Sequence, residues 1–219
     1  MTLNVIMYHY VRNNEEKEYD TYCRRLNEFE AQIDFFEKNG LIIDPNDIEK
    51  IKYYLFNNQR SYLLTFDDGY KDHLYCSKYL ASRDLKAYFF APINAIKGEL
   101  LSVNAIHMLI GKRGLSIKKI LEKIKDICLS EKFFLILREK KVSIQNYFEN
   151  FSSNHKYDKR ENQMLKHILQ KDLINEKNRI YILDILIKEF LGKDPKNVAK
   201  ELYLNLDNLH IMKKMGMSF

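Results

Sequence analysis

Two adjacent carboxylates, Asp67 and Asp68, stand between an apolar run and a glycine in Leu63-Leu64-Thr65-Phe66-Asp67-Asp68-Gly69-Tyr70. A short apolar run closed by glycine reads as the end of a buried strand opening into a turn. Inside a regular strand successive side chains point to opposite faces, so a neighbouring Asp pair would be split. At a strand end, Gly69 frees the backbone to turn, and both carboxylates can then converge on one pocket. One could bind a divalent cation while the other takes a proton from water, the division of labour that hydrolysis needs. The bland alternative is a surface Asx turn with two solvated carboxylates, and the tripeptide alone leaves both open.

Positioning these groups requires strands that end together. Asn4-Val5-Ile6-Met7-Tyr8-His9-Tyr10-Val11 is a second apolar strand, and it carries a histidine. On that strand His9 shares a face with Met7 and Val11. One reading of that placement is a core histidine bonded to a backbone carbonyl. A helical period over 19–39 (Tyr22, Leu26, Phe29, Ile33, Phe36) stops at Asn39-Gly40. Leu41-Ile42-Ile43 is a short strand, and Pro45-Asn46-Asp47 opens a further helix or turn. After the Asp pair come a helical stretch over 70–83 and a strand over 86–91. Strands alternating with helices predict an α/β architecture with parallel strands.

Three ordered pieces, Met7-Tyr8-His9-Tyr10-Val11, Thr65-Phe66-Asp67-Asp68-Gly69 and Phe89-Phe90-Ala91-Pro92, resemble the polysaccharide deacetylase family, the NodB-homology carbohydrate esterases. Motifs that occur together in order are far more specific than any one alone. The resemblance implies an incomplete, distorted (β/α) barrel with its site at the carboxyl ends of the strands. It also implies Asp67 as general base and Asp68 as carboxylate ligand of a divalent metal, most often zinc. His9 would lie near the site floor, and Tyr70 would line the pocket mouth. The implied reaction is removal of N-acetyl groups from amino sugars of a polysaccharide or glycan precursor.

The family completes its metal site with two histidines four or five residues apart. The histidines here are His9, His73, His107, His155, His167 and His210, and no two have that spacing. The stretch 206–219 looks like the helix and turn that precede the family's histidine motif. The expectation is therefore a chain stopping just before its metal histidines, inactive as it stands. His73 and His210 read as ordinary helix residues. The alternative function is a non-catalytic glycan-binding or scaffold protein that keeps the deacetylase fold.

The 219 residues divide, on this reading, into a barrel part at 1–99, a mostly helical insertion at 100–204 and the start of the next barrel unit at 205–219. In the insertion, Ile117, Ile120, Leu121, Ile124, Ile127 and Cys128 form a helical stripe with Lys118, Lys119, Lys123 and Lys125 off it. Further helices are predicted over 163–170, over 178–191 closed by Gly192, and from Asp194-Pro195 to Leu202. Formal charge is only +6, without basic residues clustered among aromatics, so no nucleic-acid partner is expected. Cys23, Cys76 and Cys128 are widely spaced and odd in number, fitting reduced thiols rather than a disulfide framework. No secretory signal or membrane span is visible, which points to a cytoplasmic protein or to a missing leader.

Overall fold

Five of the seven positions of β3 (Ser61–Asp67) are buried because the strand lies in the middle of a parallel sheet. The computed structural model describes residues 3–13, 23–47, 49–50, 52–53, 60–129, 151, 159–170 and 175–219. β1 (Leu3–Tyr8) runs parallel to β3 along its whole length, from Leu3 opposite Ser61 to Tyr8 opposite Phe66. The other edge of β3 is shared. β2 (Leu41–Ile42) pairs with Ser61 and Tyr62, and β4 (Tyr88–Phe90) pairs with Thr65 to Asp67. The result is a mixed α/β fold with an open parallel sheet. The described strands do not close into a barrel.

One face of this sheet is covered by α1 (Leu26–Asn39) and α2 (His73–Ser82). Phe29, Ile33 and Phe36 recur at helical spacing and are the buried positions of α1. They meet Tyr8, Tyr62, Leu64, Phe66 and Phe89 from the strands and Cys76 and Leu80 from α2. Tyr8, Phe66 and Phe89 form a row across three strands: Tyr8 stacks on Phe66 at 5.1 Å between ring centroids, and Phe66 on Phe89 at 4.5 Å. The opposite face is open around Val5, Met7 and Phe90, which are 57%, 59% and 51% exposed.

The predicted helix over 19–39 begins only at Leu26, where Glu28 accepts a hydrogen bond from the Arg25 amide at 3.1 Å. Its expected start, 19–22, lies outside the described residues. Gly40 follows the helix as foreseen, but in extended backbone (φ 175°) rather than the left-handed form of a helix stop. Glycine is needed there because a Cβ would collide with the Arg60 carbonyl. The predicted strand over 86–91 shortens to 88–90 and the helix over 70–83 to 73–82, since the Asp-Asp-Gly turn occupies its first residues.

Beyond β4 a short helix, α3 (Ile93–Ile96), is followed by a separate compact unit formed by described residues of 100–195. It contains α4 (Ser102–Gly111), α5 (Ile117–Leu129), α6 (Arg160–Gln170) and α7 (Glu176–Leu191). Its own core joins Ile106, Leu109, Ile120, Ile124, Leu165, Ile182 and Leu186. α5 buries Ile120, Leu121, Ile124 and Cys128, the stripe read from the sequence. α7 starts at Asn175, whose side chain accepts from the Asn178 amide, and ends at Gly192 in left-handed conformation (φ 62°). Among the described residues no helix is long and apolar enough to cross a membrane.

The helical run expected over 100–204 divides near Pro195. α8 (Pro195–Leu202) and α9 (Leu206–Lys214) return the chain to the sheet unit. Leu204 and Met212 enter the sheet's core. The Phe89 amide donates to the Ser218 carbonyl at 2.8 Å, and the Ser218 amide to Ala87 at 3.1 Å, a parallel bridge on the edge of β4.

Candidate functional site

The aromatic row dictates what stands behind it. Tyr8, Phe66 and Phe89 all face the helices, so Asp67 and Phe90, next on β3 and β4, face the other way at the same level, and His9, directly after the end of β1, interacts electrostatically with Asp67. Neighbouring strands are about 4.8 Å apart, which puts Asp67 between a histidine and a phenylalanine at the carboxyl end of the sheet. Asp67 is half-buried, and burial raises its pKa above the ordinary carboxylate value. The charge of Asp68 pushes the same way, and His9 opposes it. His9 is exposed, so the core-histidine alternative is excluded; Val11, expected on its face, is buried instead, because the chain leaves regular strand after Tyr8.

Asp68 breaks the alternation. It has φ 73°, and Gly69 follows with φ 65°, two successive left-handed residues that reverse the chain. Asparagine and aspartate tolerate this region better than other side chains, and glycine does so without strain. Gly69 is also needed for space: a Cβ there would lie 3.0 Å from the Ala91 Cβ, in the segment following β4. The turn is held from outside by the strand-like return after α8. The Leu204 amide donates to the Gly69 carbonyl at 2.9 Å, and the Lys71 amide to the Leu202 carbonyl at 2.8 Å.

Tyr70, expected at the pocket mouth, is instead fully buried beneath the turn, because the double left-handed step directs the chain back into the fold. Its hydroxyl donates to Asp68 Oδ2 at 2.7 Å. Burial raises the Tyr70 pKa far above that of a free phenol, so this proton stays in place. The ring stacks on Tyr10 at 4.1 Å. The Arg12 guanidinium lies 4.7 Å from the Tyr10 ring centre, and its Nε donates to Asp72 Oδ2 at 2.6 Å. Burial raises the Asp72 pKa, and Arg12 holds it down.

His73 is not an ordinary helix residue. It is fully buried at the first position of α2, edge-on to Phe66 and Tyr70, and its Nε2 lies 2.8 Å from the His9 carbonyl oxygen. Burial lowers its pKa to about 4, so the ring is neutral. A neutral imidazole facing a carbonyl must carry its proton on that nitrogen. His210 is exposed on α9, and His167 packs edge-on to Phe151 in the helical unit. His155 lies outside the described residues. Sequence reasoning passed over Tyr10, Arg12, Asp72 and His73 as participants. Their meeting depends on the parallel register of β1 with β3, which no local pattern displays.

A zinc site built from protein needs three or four donors. Among the described residues, no group of three or more His, Cys, Asp and Glu is placed to hold a metal ion. Asp68 brings one carboxylate and already uses Oδ2 to accept from Tyr70. The described residues therefore do not by themselves fit the cation that the sequence resemblance implies.

No family model matches the chain, and no curated protein matches it by sequence. Among solved structures, a de-N-acetylase from Aggregatibacter actinomycetemcomitans is similar at 20% identity and a TM-score of 0.35. The similarity covers 45% of this chain and 40% of that one.

Proposed function

We propose that this chain belongs to a hydrolase that removes N-acetyl groups from amino sugars of a polysaccharide or glycan precursor. Asp67 is the general base, and its position carries the proposal. It closes a buried strand at the carboxyl end of a parallel sheet, half-buried, near His9, the residue after the end of β1. A carboxylate whose pKa is raised by burial accepts a proton from water more readily than a fully solvated one. A solvated Asx turn would have neither the burial nor the buried Tyr70 bonded under Asp68.

Asp68 offers one donor toward a divalent cation, zinc first among candidates. Donors beyond those described must join it before such an ion is held. The test is acetate release from an N-acetylglucosamine oligomer, with and without added zinc, for wild type, Asp67→Asn and Asp68→Asn. In a form of the enzyme that holds the metal and turns over, Asp67→Asn should lower turnover by about two to four orders of magnitude with bound metal unchanged. Asp68→Asn should lower bound metal. Turnover unaffected by both variants would remove the Asp pair from the chemistry. Glycan binding without turnover under all conditions would favour the scaffold alternative.

A further inference from the structure

β1 stops pairing at Tyr8, yet the residue that matters to the site is the next one, His9. Beyond the ladder its backbone needs another anchor, and the structure supplies a side chain. His73 Nε2 lies 2.8 Å from the His9 carbonyl, reaching it from the start of α2 through the layer formed by Phe66, Tyr70 and Phe89. The two residues are 64 positions apart in sequence. His73 follows directly on the turn that carries Asp67 and Asp68. One hydrogen bond thus ties the exit of β1 to the element that continues the Asp-Asp-Gly turn.

Space filling alone does not account for a histidine here. Its Nδ1 is buried without a hydrogen-bond partner among the described residues, a cost that an apolar ring of similar size would avoid. The bond made by Nε2 is what the imidazole adds. We propose that His73 is a positioning residue: by donating Nε2–H to the His9 carbonyl it fixes the departure of β1 and thereby sets His9 beside Asp67. The consequence for catalysis rests on the hydrolase reading. The latch itself does not.

The latch is followed by amide exchange in the 219-residue chain. The Arg12 amide donates to the Arg24 carbonyl and the Arg24 amide to the Tyr10 carbonyl, both at 2.9 Å. These two amides report whether the segment after β1 is held. In His73→Phe they should exchange at least tenfold faster relative to the β3 amides of Leu64 and Phe66, and in His73→Gln, which keeps an amide donor, they should recover much of their protection. A residue that only fills space predicts Phe at wild-type rates and Gln as the damaged variant, and that result overturns the proposal. Should His73→Phe fail to fold, the wild-type nitrogen-15 spectrum decides. Nε2–H protonation supports the latch, and the Nδ1–H tautomer sinks it. Deacetylase turnover is measured alongside: a kcat lost in Phe and restored in Gln, at constant KM, extends the latch to the reaction. Where wild type shows no turnover, the exchange data alone judge the latch.

Discussion

Gly69→Ala separates two costs that meet at the Asp-Asp-Gly turn. The first is conformational: Gly69 has φ 65°, and placing a side-chain-bearing residue in the left-handed region costs about 1–2 kcal/mol. The second is steric. An added Cβ would stand 3.0 Å from the Ala91 methyl carbon and 3.2 Å from the backbone carbon that bears it, tighter than most packed carbons, so that Ala91 must give way by a few tenths of an ångström. Relieving such overpacking typically costs about 1–3 kcal/mol. Together they predict a loss of about 2–5 kcal/mol. Gly98 provides the control in the same compact unit, since it has φ 84° and a Cβ there would meet nothing within 4 Å. Gly98→Ala should therefore show the conformational cost alone. Urea denaturation followed by circular dichroism gives both values by linear extrapolation. Adding Ala91→Gly to Gly69→Ala should recover part of the steric share, because it removes the opposing methyl group and leaves the backbone behind it in place. If Gly69→Ala and Gly98→Ala are equally costly within about 0.5 kcal/mol, the site turn is not pressed against Ala91 as described.

Three further outcomes follow. His73 is neutral in the fold with a pKa of about 4 against 6.5 when solvated, so acid favours the unfolded chain, where this ring takes a proton. The contribution of His73 is complete above pH 6.5 and falls as pH drops toward 4, by about 3 kcal/mol in all, and His73→Phe should flatten stability over that window. Tyr70→Phe deletes the hydroxyl bonded to Asp68 while keeping the Tyr10 stack, and should cost about 1–3 kcal/mol in the same urea assay. Phe66→Ala empties the centre of the Tyr8–Phe66–Phe89 row and should cost about 3–5 kcal/mol.

The sheet was legible because β3 and β1 are short apolar runs and the intervening α1 has a clean helical period. The Asp pair was legible because the strand ends there and glycine follows. The orientation of Tyr70 was not, since two left-handed residues in succession redirect the chain, and only one of them is glycine. Asp68 gives no sign in the sequence that its φ is positive. His73 was misjudged for a related reason: its helical period looks unremarkable, and its partner is a backbone carbonyl that carries no side-chain identity to match. The true reason for Gly40 was hidden likewise, because the obstacle is the backbone of Arg60, met only after β2 and β3 have paired. Helix α5 was easier to foresee, since Ile120, Leu121, Ile124 and Cys128 follow a simple local rule.

The bonds from Leu204 to Gly69 and from Lys71 to Leu202 set an order of events in time. The Asp-Asp-Gly turn closes against residues that the ribosome adds only after the entire helical unit has been made. Strands β1, β3 and β4 and helices α1 and α2 are all available early and can collapse on one another. The turn's outer support cannot form with them. Contacts so distant in sequence must meet the entropy of loop closure before they contribute. The helical unit has its own core and shortens the effective loop if it folds first, bringing 196–204 back within reach. The outer support of the turn that follows Asp67 is thus among the last pieces to be fixed, and it depends on a part of the chain that contributes none of the residues proposed to do chemistry.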